Sequence, residues 1–290
     1  MKKNQKYLKI TLSFIAVLFI LLAIFLYWLY SGTLTPTKNK ILNSLPFPMA
    51  FVNGQAISMS QFTFRYNLSN EVLNPAFNLQ KESSIKNSVY NTLIQEAKIN
   101  QIARANGVFV GSKEIDDTYK EQESKSDLEN DKSFDELLKI YHFDKHTYKN
   151  AVIKPELLLN ALKIWFNSQK ELNKILYEQA NKVSQKISNG EDFKLLAKNY
   201  SQEEVEKSIE GDLGYLDISE ILPELREQVS TIQTGEYKVI PSRFGLHIIK
   251  LEEKSGNKIH LRQIFLNGTS FENWYLIESK KIKIIKLLNI

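Results

Sequence analysis

The residues from Ile10 to Tyr30, ITLSFIAVLFILLAIFLYWLY, form an uncharged run of about 21 positions. An α-helix needs about 20 apolar residues to cross a hydrocarbon core, so the run predicts a transmembrane helix. The rival reading is a removable secretion signal, whose apolar region would be shorter and end on small residues. This run ends instead on Tyr27, Trp28 and Tyr30, which suit a headgroup layer. Lys2, Lys3, Lys6 and Lys9 precede it and favour a cytoplasmic N-terminus, which places everything from about residue 31 outside the cytoplasm. The expected location is the cell membrane, with a single span. The same lysines account for most of the formal charge of +5, leaving the rest of the chain nearly neutral. Nucleic acid is therefore not an expected partner. With no cysteine the chain has no disulfide, thiolate nucleophile or zinc-thiolate site.

Beyond the expected anchor (residues 1–31), residues 32–44 have the Gly, Thr and Pro punctuation of a linker. Asn53-Gly54 between two extended runs predicts a hairpin, because both central residues of such a turn need positive φ. Val89, Leu93, Ala97 and Ile102 fall near helical spacing and stop at Asn106-Gly107, a left-handed cap. Residues 112–136 read as a Ser-capped helix running into a charged loop, and Pro155 marks a break or kink in the next helical region. A further helix is expected from about Gln169 to Ile187. The shortest, most strand-like runs and most glycines follow, so the boundary is drawn near residue 168, with one domain over 45–168 and another over 169–290. The terminal KKIKIIK alternates as an edge strand would.

Most candidate chemistry has an ordinary reading. His142 and His146 are spaced i, i+4, but no glutamate follows the first and no third ligand is evident, so no metal is expected. The carboxylates of 114–136 lie in no apolar context and read as a solvated face. Three glycosylation-like triplets, at Asn67, Asn199 and Asn267, carry no weight. The exception is RFGLHIIKL, an apolar strand with His247 inside it, followed by a turn signal at Ser255-Gly256-Asn257 and a second alternating run, KIHLRQIFL. A turn centred on Ser255 pairs His247 with Gln263, give or take a residue or two, close enough for imidazole and carboxamide to share a hydrogen bond.

Residues 185–254 contain G-E-D-F, A-K-x-Y-S, G-D-L-G, P-E-L, a T-G-E turn and F-G-x-H-I-I in order, and this series resembles the parvulin-type (PpiC-like) peptidyl-prolyl cis-trans isomerase domain. PMAFVNGQAISMSQF and the helices after it look like the N-terminal chaperone region of PrsA- and SurA-type foldases. The resemblance implies an α+β chain: an N-terminal transmembrane helix, a SurA-like helical chaperone domain, and a parvulin-like antiparallel sheet with helices. Parvulins begin with a histidine-bearing strand, in a pattern like S-H-I-L; here LRQIFL, after the last expected strand, fits it. A circular permutation is therefore expected, with the first strand arriving last and Gln263 where its histidine would stand. Carried over by position, His247, Gln263 and Glu203 form the polar, catalytic wall. Leu213, Ile221, Leu225 and Phe244 form the slot for the proline ring.

No cofactor is implied. The implied function is isomerisation of X-Pro bonds in unfolded or newly exported polypeptides by a membrane-anchored foldase, weakened by the loss of one histidine. The alternative is a catalytically degenerate polypeptide-binding chaperone.

Overall fold

The computed structural model of the chain describes residues 2–69, 82–129, 133–140, 143–256, 258–268 and 270–288. In chain order the elements are α1 (Lys2–Tyr30), α2 (Pro36–Ser44), β1 (Pro48–Val52), β2 (Gln55–Ser58), α3 (Met59–Leu68), α4 (Glu82–Ala105), α5 (Ser112–Glu129), α6 (Phe134–Ile140) and α7 (Lys145–Tyr148). A π turn (Lys149–Ile153) leads into α8 (Lys154–Ser168), α9 (Lys174–Ser188), α10 (Phe193–Tyr200), α11 (Glu204–Ser208), β3 (Asp212–Asp217), α12 (Pro223–Ser230), β4 (Tyr237–Pro241), β5 (Gly245–Ser255), β6 (Lys258–Asn267), α13 (Phe271–Lys280) and β7 (Ile284–Lys286). Contacts divide the chain into two units, residues 1–98 with 282–290, and residues 99–281.

In the first unit the Asn53-Gly54 turn has φ of 48° and 88°, as a tight hairpin requires, and joins β1 to β2. Ser58 and Gln61 form a reciprocal capping box that starts α3. The expected linker is folded. Thr35 caps α2, Pro36 occupies its first turn, and Leu42 is fully buried with Leu29, Met49, Val52 and Phe62. The Lys38 ammonium donates to the Ser31 carbonyl at 2.5 Å and lies 5.4 Å from the centre of the Trp28 ring. Residues 32–44 are thus part of a core that includes the end of α1, because burying Leu29 and Leu42 outweighs the freedom of a tether. Among the described residues no helix is long and apolar enough to cross a membrane. The expected span falls partly on residues 10–14, whose side chains lie outside the description.

The tail also departs from the expected boundaries. β7 pairs antiparallel with β1, Val52 opposite Ile284, giving a sheet of order β2-β1-β7. The KKIKIIK alternation does make an edge strand, but in the first unit's sheet rather than in that of residues 169–290.

The second unit begins well before residue 168. Phe166 of α8 packs on Phe271 and Trp274 of α13, and Asn167 donates to the Ser242 carbonyl at 2.8 Å, which ties α8 to the sheet. Pro155 sits in the first turn of α8, directly after the π turn, so the break expected there is a local change of helix type. His142 lies outside the described residues; His146 is exposed beside Asn150, and no cluster among the described residues could hold a metal. The sheet is antiparallel throughout, in the order β3-β6-β5-β4, so the last of these strands in the chain lies between the first and the third. β6 therefore occupies an interior position in the sheet, beside β5.

Strand alternation sends Leu246, Ile248, Ile264 and Leu266 to a face covered by α9 and α10. Ile249, Leu251 and Leu261 face the other way, against Ile221, Leu225, Val229 and Ile232. His247 and Gln263 belong by parity to this second face.

Candidate active site in the central hairpin

The β5–β6 hairpin places His247 opposite Phe265, and Gln263 opposite Ile249. The pairing expected for His247 and Gln263 is therefore two residues out of register, because the turn sits beyond Ser255 and the register shifts between Leu251 and Glu253. A two-residue offset preserves the face, so the side chains meet diagonally. His247 Nδ1 and Gln263 Oε1 are 2.8 Å apart, with both residues buried.

This contact is one link in a chain of hydrogen bonds. Phe244 N–H donates to Ser242 Oγ at 3.0 Å, and Ser242 Oγ lies 2.7 Å from His247 Nε2. Beyond the imidazole, Gln263 Nε2 donates to Glu206 Oε1 at 2.5 Å. Ser201 Oγ donates to Glu206 Oε2 at 2.6 Å and accepts the Phe265 N–H at 3.1 Å. With Gln263 Oε1 facing the ring, that oxygen can only accept, so His247 carries its proton on Nδ1 and Nε2 accepts from Ser242. The imidazole is neutral in this arrangement. Burial pushes its pKa below the usual 6.5, against the opposing Gln263 bond and the charge of Glu224. Burial likewise raises the Glu206 carboxyl above its usual value, against the Ser201 and Gln263 donors and with the charge of Glu203 adding to the rise.

Glu203, expected in the polar wall, is exposed and makes no capping bond as the residue before α11. The carboxylate in the network is Glu206, three residues on, which α11 turns back toward the sheet. Local docking explains its position. Pairing of β3 with β6 ends at Arg262, and the α10–α11 loop covers β6 beyond that point: Gln202 N–H donates to the Phe265 carbonyl and Gln202 Oε1 accepts the Asn267 N–H. Gly211, at φ 73°, brings its carbonyl to the Gln263 N–H, and a Cβ there would lie 2.4 Å from the Gln263 carbonyl oxygen.

Of the residues expected to hold the proline ring, Leu213, Ile221 and Leu225 come together in the apolar cluster on the His247 face. Phe244 does not join them; it is 47% exposed, with the Arg243 guanidinium 4.8 Å from its ring centre and Arg243 paired to Glu224 on α12. The aromatic ring beside the network is Phe265, buried and 4.8 Å from the imidazole centroid. Sequence reasoning passed over Phe265, Ser201, Ser242 and Glu206. Phe265 was accessible by strand alternation from Gln263, and Ser201 was already visible in the A-K-x-Y-S signature.

Chemically, both imidazole nitrogens are engaged, so His247 is suited to shaping a pocket floor rather than to acting as a general base. An amide twisted out of plane loses resonance and with it much of its dipole. A desolvated site whose imidazole is uncharged therefore favours the twisted form over either planar one. No covalent step is required.

Comparison with known proteins agrees with this architecture. Residues 137–255 match the model of the PPIC-type PPIase domain, and residues 1–163 match that of the SurA-like N-terminal domain. The foldase protein PrsA of Caldanaerobacter subterraneus subsp. tengcongensis is 24% identical over 260 residues, covering 82% of each chain. The foldase protein PrsA of Oceanobacillus iheyensis is 38% identical over 77 residues, 26% of each chain. A parvulin-like PPIase of Rickettsia prowazekii is 27% identical over 205 residues, 62% of this chain and 67% of its own. The isomerase match ends at the close of β5, before β6. The chain belongs to the family with a SurA-like N-terminal domain and carries a PPIC-type peptidyl-prolyl cis-trans isomerase domain.

Proposed function

We propose that this protein is a membrane-anchored extracytoplasmic foldase that isomerises X-Pro bonds of unfolded or newly exported polypeptides at the β5–β6 hairpin. The observation that carries the reading is the 2.8 Å bond between His247 and Gln263 on the same sheet face as Leu213, Ile221 and Leu225. Leu213, partly exposed at the edge of this cluster, offers the proline ring an apolar contact, and the imidazole, neutral in this arrangement, holds no charge that would favour the planar amide dipole. Phe265 supplies the aromatic contact that Leu225 cannot.

The anchor is supported by α1 itself. Val17, Leu18, Phe19, Ile20, Leu21 and Leu22 are consecutive and each about half or more exposed, so apolar side chains emerge on every side of the helix. Such a helix requires an apolar surround. The name of the PrsA relatives, foldase proteins, supports a role in folding for the protein as a whole.

The test is proline-limited refolding of a model client with the full chain in detergent micelles. Acceleration that disappears in His247→Leu is expected. Unaccelerated refolding at equimolar protein would overturn the isomerase reading. Protease protection of the chain in sealed vesicles tests the anchor: the part after residue 31 is expected on the non-cytoplasmic side, and its digestion from the cytoplasmic side would overturn the assignment.

A further inference from the structure

We infer that Glu206 is a positioning residue for this site: its carboxylate fixes the amide of Gln263, and through it which nitrogen of His247 carries the proton. The inference rests on the reading of the hairpin as the isomerase site.

The chain from Ser242 to Glu206 can run in two directions. In the one drawn by the distances, Ser242 O–H donates to Nε2, Nδ1–H donates to Gln263 Oε1, and Gln263 Nε2 donates to Glu206. In the reverse, the Gln263 amide turns over, its Nε2 donates to Nδ1, and Nε2–H of the imidazole donates to Ser242. Nothing at the Ser242 end chooses between them, because a hydroxyl both donates and accepts. Gln263 likewise presents an oxygen on one side and an NH2 on the other.

Glu206 breaks this symmetry. An ionised carboxylate only accepts, and its other oxygen already takes the Ser201 hydroxyl at 2.6 Å. Turning the amide over would set Gln263 Oε1 against a carboxylate oxygen at the 2.5 Å now spanned by a donor. The charge of Glu206 is therefore read out two residues away as an imidazole protonated at Nδ1. The charged groups around this path are Glu203 beside Glu206, and Glu224 with its partner Arg243 near the imidazole. None of them hydrogen-bonds Gln263, so Glu206 alone sets the amide among the described contacts.

The test is the ring 15N spectrum of the histidines in the full chain in micelles, at slightly alkaline pH. In the native protein His247 is expected as the Nδ1–H tautomer. Glu206→Gln places an NH2 or a carbonyl toward Gln263 without preference for the present order, so the Nδ1–H population should fall, with Nε2–H appearing. Ser242→Ala removes the indifferent end and should leave Nδ1–H dominant. The signal of His260, bonded to Asp212 on β3, reports that the sheet is intact in each variant. An Nε2–H tautomer in the native protein, an unchanged Nδ1–H population in folded Glu206→Gln, or a switch in Ser242→Ala would each overturn the inference. If Glu206→Gln does not fold, the native and Ser242→Ala spectra still decide. Isomerase activity is a separate reading: Glu206→Gln should slow turnover several-fold with little change in KM. Absence of activity in the native protein would remove the functional reading while leaving the tautomer measurement intact.

Discussion

Replacing Gln263 by leucine removes the central link of the network while keeping similar volume, which makes its cost calculable. His247 Nδ1–H loses its acceptor and Glu206 loses one of its two side-chain donors. His247 is buried and Glu206 half-buried, so water cannot fully replace either bond. Leaving a buried neutral donor unmade costs about 1–3 kcal/mol, and losing a bond to a charged group costs about 1.5–3 kcal/mol. Leucine recovers about 1–2 kcal/mol by burying apolar surface where the carboxamide stood. Taking the middle of each range, the net destabilisation is about 2.5–3 kcal/mol. For a unit the size of residues 99–281 each kcal/mol lowers the midpoint by about 2–4 °C, so a fall of about 5–10 °C is expected. Tryptophan fluorescence is the assay, since Trp165 and Trp274 pack together within this unit with ring centres 5.5 Å apart. A midpoint that stays within about a degree of the native value, or rises, would refute the claim that His247 and Glu206 depend on this amide.

Four other outcomes follow from the same structure. Leu29→Ala should destabilise the first unit by about 2–5 kcal/mol in a denaturant titration, because Leu29 is 1% exposed within its core; a fragment beginning at residue 33 should fold poorly for the same reason. Gly211→Ala should lower the melting point of the second unit and weaken isomerisation together, since its Cβ would press on the Gln263 backbone at 2.4 Å. Because the pKa of His247 is depressed in the folded chain, the unfolded chain takes up that proton first. The stability it contributes is present above the ordinary value of 6.5 and is lost as pH falls through it, so His247→Gln should show a shallower loss between neutral pH and pH 5 in urea titrations. Glu206, raised, acts with the opposite sign, its contribution falling as pH rises through its folded value; Glu206→Gln should therefore steepen the acid loss in the same titrations.

Much of the site was legible because β-strands have a period of two. Alternation put His247 and Gln263 on one face, and that conclusion survived a register error of two residues, which an error of one would not have. The pairing of β6 with β5 was legible from the turn signal directly after β5, which leaves an antiparallel neighbour as the simplest next element. Glu206 was not legible, because position counted along a signature selects Glu203, whereas α11 begins just after it and brings a residue three places on to the same side. Phe244 was placed in the slot by its sequence position, yet the turn before β5 directs it outward. The tail strand was readable as a strand but not as a partner of β1, since pairing across more than two hundred residues leaves no local trace. The folding of residues 36–44 did leave one: Thr35-Pro36 is a helix-start signal, overlooked among residues that otherwise resemble a tether.

The most direct measurement is exchange spectroscopy on an unstructured proline-containing peptide, with catalytic amounts of the full chain in micelles. Native protein should speed cis-trans exchange at the X-Pro bond, and His247→Leu, folded by its His260 signal, should lose at least tenfold of that rate, equivalent to about 1.4 kcal/mol of barrier. Equal exchange rates with the native and His247→Leu proteins would contradict the assignment of the reaction to this hairpin.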